Sequence, residues 1–156
     1  MWITLKEDSR MVKPLTEVTC AILVDGEMVL ATQRSYFMPH PYKWEFPGGK
    51  LLTGESPENC IIREIREELG VEISVIQLLP SVKHTDSDAA IKLIPFICTI
   101  RKGEISLTEH RLYRWVHRSN LDELDWLEAD LEGLAPAVSP PSATSSKPRV
   151  ISSMRA

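Results

Sequence analysis

The sequence predicts a mixed α/β domain, and three features carry that prediction. Two β-prone runs meet at Asp25-Gly26, a capped helical segment spans Pro57 to Leu69, and several apolar runs of strand character follow it. With 156 residues, 43% of them hydrophobic and 26% charged, the chain can fill one sizeable core and hardly two. The expected organisation is a peripheral segment at 1–14, one domain at 15–136 and a tail at 137–156.

Residues 1–14 have no clear period. From Thr16 the run TEVTCAILVDGEMVLATQR reads as two strands around Asp25-Gly26, a dipeptide suited to the positive φ angles of a tight hairpin. Between Ser35 and Trp44 lie His40, two prolines and three aromatic residues, a loop long enough to carry function. FPGGK then reads as a sharp glycine-rich turn. Ser56-Pro57-Glu58 combines an N-cap residue, proline at the first helical position and an acid in the first turn, and Gly70 stands where a C-terminal cap belongs. Residues 57–69 are therefore expected to be a helix, with Ile61, Ile62, Ile65 and Leu69 as its core stripe. VEISVIQLL, AIKLIPFICTI and LYRWV read as strands, and SNLDELDWL as a short helical stretch capped by its serine. The end of the chain, rich in proline and serine, reads as a disordered tail.

Bulk properties exclude several classes. A net charge of −4 and a pI near 5.6 argue against a surface built to embrace long nucleic acid, while leaving room for a small anionic substrate whose charge is offset locally. Cys20, Cys60 and Cys98 are odd in number and far apart, with the spacing of neither a zinc clip nor a redox dithiol, so they are expected to be buried thiols of a reducing cytosol. No run of about 18 apolar residues exists to span a bilayer, and the polar start MWITLKEDSR does not resemble a signal peptide. A cytoplasmic protein without membrane contact is the expectation, its oligomeric state open.

The chemistry is concentrated on the predicted helix. Glu64, Glu67 and Glu68 stand at i, i+3 and i+4 and project from one face, a spacing at which like charges cost a helix a few tenths of a kcal/mol per pair. Hard divalent cations remove that cost, because Mg²⁺ and Mn²⁺ bind through a few carboxylates plus substrate phosphates. A solvated face, with Arg63 paired to Glu67, is the bland alternative.

The longer pattern decides between the two. Gly49 is followed by Glu55, then Arg63-Glu64-Ile65, Glu67-Glu68, Gly70 and Val71, which is G-x5-E-x7-R-E-U-x-E-E-x-G-U with U apolar. This resembles the signature of the Nudix hydrolase family at every fixed position. A MutT-like pattern of hairpin, WEFPGGK and later RW strand extends the likeness from about Thr16 to Leu134. The resemblance implies an α/β/α sandwich with a mixed sheet, and a Mg²⁺-dependent attack of water on a phosphoanhydride that turns a nucleoside triphosphate into monophosphate and pyrophosphate. It implies metal ligation by Glu64, Glu67, Glu68 and the carbonyl of Gly48, with Mn²⁺ a possible substitute. It assigns deprotonation of water to Glu64 in MutT-like members and to a glutamate of a distant loop in other branches, here Glu109 beside His110. From the residues alone, Glu55 is expected to support the cluster and Arg63 to orient its carboxylates by bidentate pairing.

Likeness to MutT-like members carries three substrate-binding positions across: Arg34 for phosphate or sugar, Phe46 for the base pocket and Asp130 for the base edge. The bland readings are a surface arginine, a core phenylalanine and a helix-capping aspartate. Two departures matter. A purine-contacting arginine of such members falls near Ala89 here, and the base reader is Asp rather than Asn. An ionised aspartate accepts but does not donate, which tilts the choice towards CTP or dCTP, whereas a protonated one in a dry pocket readmits 8-oxo-dGTP. Hydrolysis of ADP-ribose or a dinucleoside polyphosphate is the runner-up, lowered by HTDSDAA, which lacks the proline or tyrosine expected beyond the box in those branches. A non-hydrolytic nucleotide-binding module is the other class to weigh; such modules commonly lose box glutamates, and all are present here.

Overall fold

In the computed structural model residues 13–87 and 89–140 are described. Most of the 1–14 segment and the tail beyond residue 140 lie outside the described residues, as does Asp88. Among the described residues eight strands form one mixed sheet: β1 (Leu15–Asp25), β2 (Met28–Gln33), β3 (Trp44–Glu45), β4 (Gly48–Lys50), β5 (Glu72–Leu78), β6 (Val82–Thr85), β7 (Ala90–Lys102) and β8 (Leu112–His117). The helical elements are α1 (Pro57–Leu69), a 3₁₀ helix (Arg118–Glu123), α2 (Glu128–Gly133) and α3 (Ala135–Val138).

The sheet is organised around β1 and β7, which run parallel from Leu15↔Ala90 to Leu23↔Cys98. β1 is buried on both faces from Cys20 to Leu23, so its sequence is a continuous apolar run rather than an alternation. Ala21 and Leu23 join Leu30, Ile61, Ile65, Leu69 and Phe96 in one core, whereas Cys20 and Ile22 join Val29, Ala31, Leu121, Trp126 and Leu134 in another. Helix α1 thus covers one face and the C-terminal helical segments the other, which makes the α/β/α sandwich expected from the family likeness.

Helix α1 has the predicted bounds because its stop signals are local. Ser56 accepts a hydrogen bond from the Asn59 amide at 3.1 Å, and Gly70 adopts φ +70° while its amide donates to the Arg66 carbonyl at 3.0 Å. Ile62 is only partly buried, whereas Cys60 joins the buried stripe. In the hairpin, Asp25 ends β1 opposite Met28, and Gly26 alone of the dipeptide takes positive φ, at +62°. The cap predicted at Ser119 is also displaced: the His117 side chain accepts the Ser119 amide, and the helix it opens is 3₁₀.

FPGGK is not the expected turn. β1 and β2 stay paired only at Val24↔Val29 and Asp25↔Met28, then part, and residues 44–50 fill the wedge. Trp44 and Glu45 pair with β2, while Gly48–Lys50 pair with β1. A Cβ on Gly48 would stand 2.0 Å from the Thr19 carbonyl oxygen, so close packing of strands explains this glycine. The C-terminal segment is tied to the wedge by Trp44 amide to Asp125 carbonyl at 2.9 Å and Leu127 amide to Trp44 carbonyl at 2.7 Å.

Candidate active site

The wedge, α1 and α2 enclose a cavity of about 610 Å³, lined among others by Arg34, Phe46, Gly48, Glu68, Glu109 and Asp130. Five sequence-predicted side chains, from the residue after β2, the wedge, α1, the loop before β8 and α2, therefore line one space, with the Gly48 backbone beside them. Its volume suits a mononucleotide-sized ligand.

On α1 the three glutamates have different surroundings. Glu68 is buried at 8% exposure, and its Oε1 has no hydrogen-bond partner. Burial raises its carboxyl to about 9, helped by the negative charges of Glu64, Glu45 and Glu109. Glu64 lies against the strand: a Cβ on Gly49 would come within 2.3 Å of its carboxylate, so glycine here makes room for an acid. Glu67 points outward, with a side chain 59% exposed. Glu64 and Glu68 meet, and Glu67 joins them only through Arg63.

Arg63 is the organiser of this group. Its Nε and Nη2 donate to the two oxygens of Glu55 at 2.7 and 2.9 Å, and Nη1 donates to Glu64 at 3.0 Å and Glu67 at 3.1 Å. This bidentate pairing, with the Leu52 amide as a further donor, holds the Glu55 carboxyl down at about 2. Glu55 contacts Arg63 and the Leu52 amide.

Whether this group suits a cation is decided by its chemistry. Glu68 has a partnerless oxygen beside the negative charges of Glu64, Glu45 and Glu109, and a hard divalent ion would take the place of its proton and offset those charges. The arrangement is not a closed cage, since among the described residues no three carboxylates, imidazoles or thiols are set to enclose an ion. Substrate phosphates would complete such a site.

Asp130 is not the cap of its helix. Leu127 occupies that position without a side-chain bond, while Asp130 Oδ2 accepts the Phe46 amide at 2.8 Å in a buried contact within the cavity wall. Desolvation raises its carboxyl to about 8; the Phe46 amide opposes the shift, and Glu45 adds to it. Phe46 is both core and lining, its ring 4.7 Å from that of Trp126. Arg34 is no free surface residue: its side chain is 14% exposed, and it pairs with Glu45 at 2.7 Å. Glu109 is exposed at the cavity wall, but His110 is buried against Glu45 rather than solvated.

Glu45 is the residue that sequence reasoning missed. It stands between Trp44 and Phe46, both buried, and a charge inside such a segment is the signal that marks it. The three cysteines are free and buried, as expected, and no helix among the described residues is long and apolar enough to cross a membrane.

Fold and site together define a carboxylate-lined, nucleotide-sized cavity on an α/β/α sandwich. The chain belongs to the NUDIX family: the profile of the NUDIX domain matches residues 14–140. It is 43% identical over 63 residues to an 8-oxo-dGTP diphosphatase of Proteus vulgaris, a match spanning 40% of this chain and 56% of that protein. It is 32% identical over 101 residues to a CTP pyrophosphohydrolase of Escherichia coli, covering 65% of this chain and 75% of the relative. A solution structure of MutT from methicillin-resistant Staphylococcus aureus superposes with a TM-score of 0.64 at 35% identity, covering 81% of this chain and 95% of that one. Hydrolases of this family generally need a divalent metal and act on small nucleotide substrates.

Proposed function

We propose that this protein hydrolyses a nucleoside triphosphate to its monophosphate and pyrophosphate, using Mg²⁺, for which Mn²⁺ can substitute. The observation that carries the reading is Glu68, a buried carboxyl with an orphaned oxygen in the wall of a nucleotide-sized cavity. Glu64, Glu67, Glu68 and the Gly48 carbonyl would hold the metal, which when bound neutralises phosphate charge and acidifies water. Arg63 orients Glu64 and Glu67, and Glu55 fixes Arg63. Arg34 binds phosphate or sugar at the cavity rim. Glu64 and Glu109 are the two candidate acceptors of the proton from the attacking water.

Asp130 favours 8-oxo-dGTP over a cytosine nucleotide. A carboxyl raised to about 8 keeps its proton at neutral pH, so one oxygen donates to a base carbonyl while Oδ2 accepts the Phe46 amide. Relatives named for 8-oxo-dGTP and for CTP are both similar to this chain, and the acid form of Asp130 supports the first.

The test is a panel of 8-oxo-dGTP, dGTP, CTP and dCTP with Mg²⁺ or Mn²⁺, scoring pyrophosphate separately from phosphate. Pyrophosphate release with a preference for 8-oxo-dGTP is expected at pH 7, and the preference should decline as pH rises through about 8 and Asp130 loses its proton. Asp130→Asn, which donates and accepts at any pH, should keep the preference and lose the decline. A CTP preference unchanged by the substitution would remove Asp130 from base reading, and release of phosphate alone would overturn the reaction.

A further inference from the structure

Three side chains from separate segments form a chain of contacts beside the cavity. Arg34, just after β2, donates from Nη1 to Glu45 Oε1 at 2.7 Å and from Nε to the Pro39 carbonyl at 2.5 Å. Glu45, on β3, turns its other oxygen, Oε2, to His110 Nε2 at 2.8 Å. His110 lies two residues before β8, whose entry is pinned by the Arg111 amide on the Gln33 carbonyl at 2.8 Å and by pairing of Gln33 with Leu112. Arg34 directly after β2, His110 shortly before β8 and Glu45 on β3 are thus tethered to one another through the pairing of β2 with both β3 and β8.

The His110 side chain is 1% exposed, and its Nδ1 has no partner. As a filler of the core this is uneconomical, since an apolar residue would occupy the space without an orphaned nitrogen. What an apolar residue lacks is a donor for the second oxygen of Glu45. A carboxylate with both oxygens engaged has one orientation, whereas one bound only to Arg34 can swing with it. Glu45 also stands close enough to Glu68 and Asp130 for its charge to raise both carboxyls.

We infer that His110 is a positioning residue for nucleotide binding: by holding Glu45 it fixes the Arg34 guanidinium at the cavity. The inference rests on the nucleotide-hydrolase reading of this cavity but assigns a residue that reading does not use. A fixed guanidinium meets a phosphate or sugar without first losing side-chain freedom, so the benefit falls on affinity. Loss of one hydrogen bond to a charged group corresponds to about a tenfold change in binding.

The experiment compares His110→Gln, whose amide nitrogen reaches the place of Nε2, with His110→Asn, whose shorter side chain does not, and with His110→Ala. KM and kcat are measured with the preferred triphosphate, and Kd for α,β-methylene dGTP is measured by calorimetry. H110A and H110N are expected to raise KM and Kd about tenfold with kcat within about twofold, and H110Q to restore most of the loss. In an Arg34→Ala background the His110 substitutions should change KM and Kd no further. Additive effects of the two sites, or a loss confined to kcat, would overturn the inference. Should H110A fail to fold, the comparison of H110Q with H110N carries the test. If the unaltered protein hydrolyses nucleotide and H110N binds as well as it does, the inference alone falls. If the unaltered protein binds the analogue but releases no pyrophosphate, the functional reading falls instead, and the cycle on Kd still decides the role of His110.

Discussion

Glu68→Gln is expected to lower kcat by about three orders of magnitude, the scale at which loss of one charge-stabilising group in an enclosed site is felt, and at the same time to stabilise the metal-free protein at alkaline pH. The two effects have one cause. Glu68 is buried among Glu64, Glu45 and Glu109, and its folded carboxyl is raised to about 9 from an ordinary value of 4.5. A carboxyl raised on folding contributes its full stability below the unfolded value and loses it as pH climbs through the folded one. The Tm of the metal-free parent should therefore fall relative to E68Q between about pH 5 and pH 9, with the two close together at the acid end. Saturating Mg²⁺ should reverse the order at pH 8, since a cation that binds only the folded state stabilises the parent by mass action. Thermal scans across pH with chelator and with Mg²⁺, beside turnover, check the prediction. Equal pH slopes for parent and variant, or undiminished activity, would refute it. Glu67→Gln is expected to cost less than E68Q, because Glu67 is more than half exposed and reaches the group through Arg63.

Arg63→Lys is expected to reduce kcat/KM by about a hundredfold, the upper range for residues that orient metal ligands. A lysine keeps the charge and loses the fork. The guanidinium contacts both oxygens of Glu55, one each of Glu64 and Glu67, and the Lys50 carbonyl at 3.3 Å. An ammonium cannot reproduce planar bidentate pairing with Glu55 while reaching the others. Arg63→Ala should lower activity at least as much and lower Tm at neutral pH, leaving three carboxylates without their cation. Glu55 sets the pH signature: its carboxyl is held down at about 2, so the pair stabilises the fold above 4.5, and that contribution is lost as pH falls towards 2. The Tm gap between parent and R63A should narrow over that interval. Activity of R63K within a few-fold of the parent would show that point charge, not orientation, is what Arg63 supplies.

Where sequence and structure agree, the cause is local. The bounds of α1 were readable because an N-cap serine, a proline at the first turn and a glycine in the left-handed region act within a few residues of themselves. The spacing of Glu64, Glu67 and Glu68 was readable for the same reason, as helical periodicity alone sets it. At the hairpin, strand character and the glycine were visible, but the division of φ was not: Asp25 stays in β1 and only Gly26 turns. Ser119 was a plausible cap by composition, yet the preceding His117 reaches its amide and takes that role.

Burial and pairing partners depend on the whole fold. Gly48–Lys50 has no β propensity of its own, and becomes a strand because β1 and β2 diverge and leave an unpaired edge to fill. Three glutamates on one helical face have three environments, and only enclosure by the wedge and the loop before β8 makes Glu68 the buried one. Asp130 is the clearest case: whether its carboxyl holds a proton depends on desolvation, which exists only in the folded chain. Short-range sterics and periodicity suffice for the helix, the hairpin and the acid-rich box, so these are legible in the residues alone. Which carboxyl is dry, the link of Arg34 to His110 through Glu45, and the place of the cavity follow from the fold, because dielectric surroundings and long-range contacts exist only once the chain has closed around them.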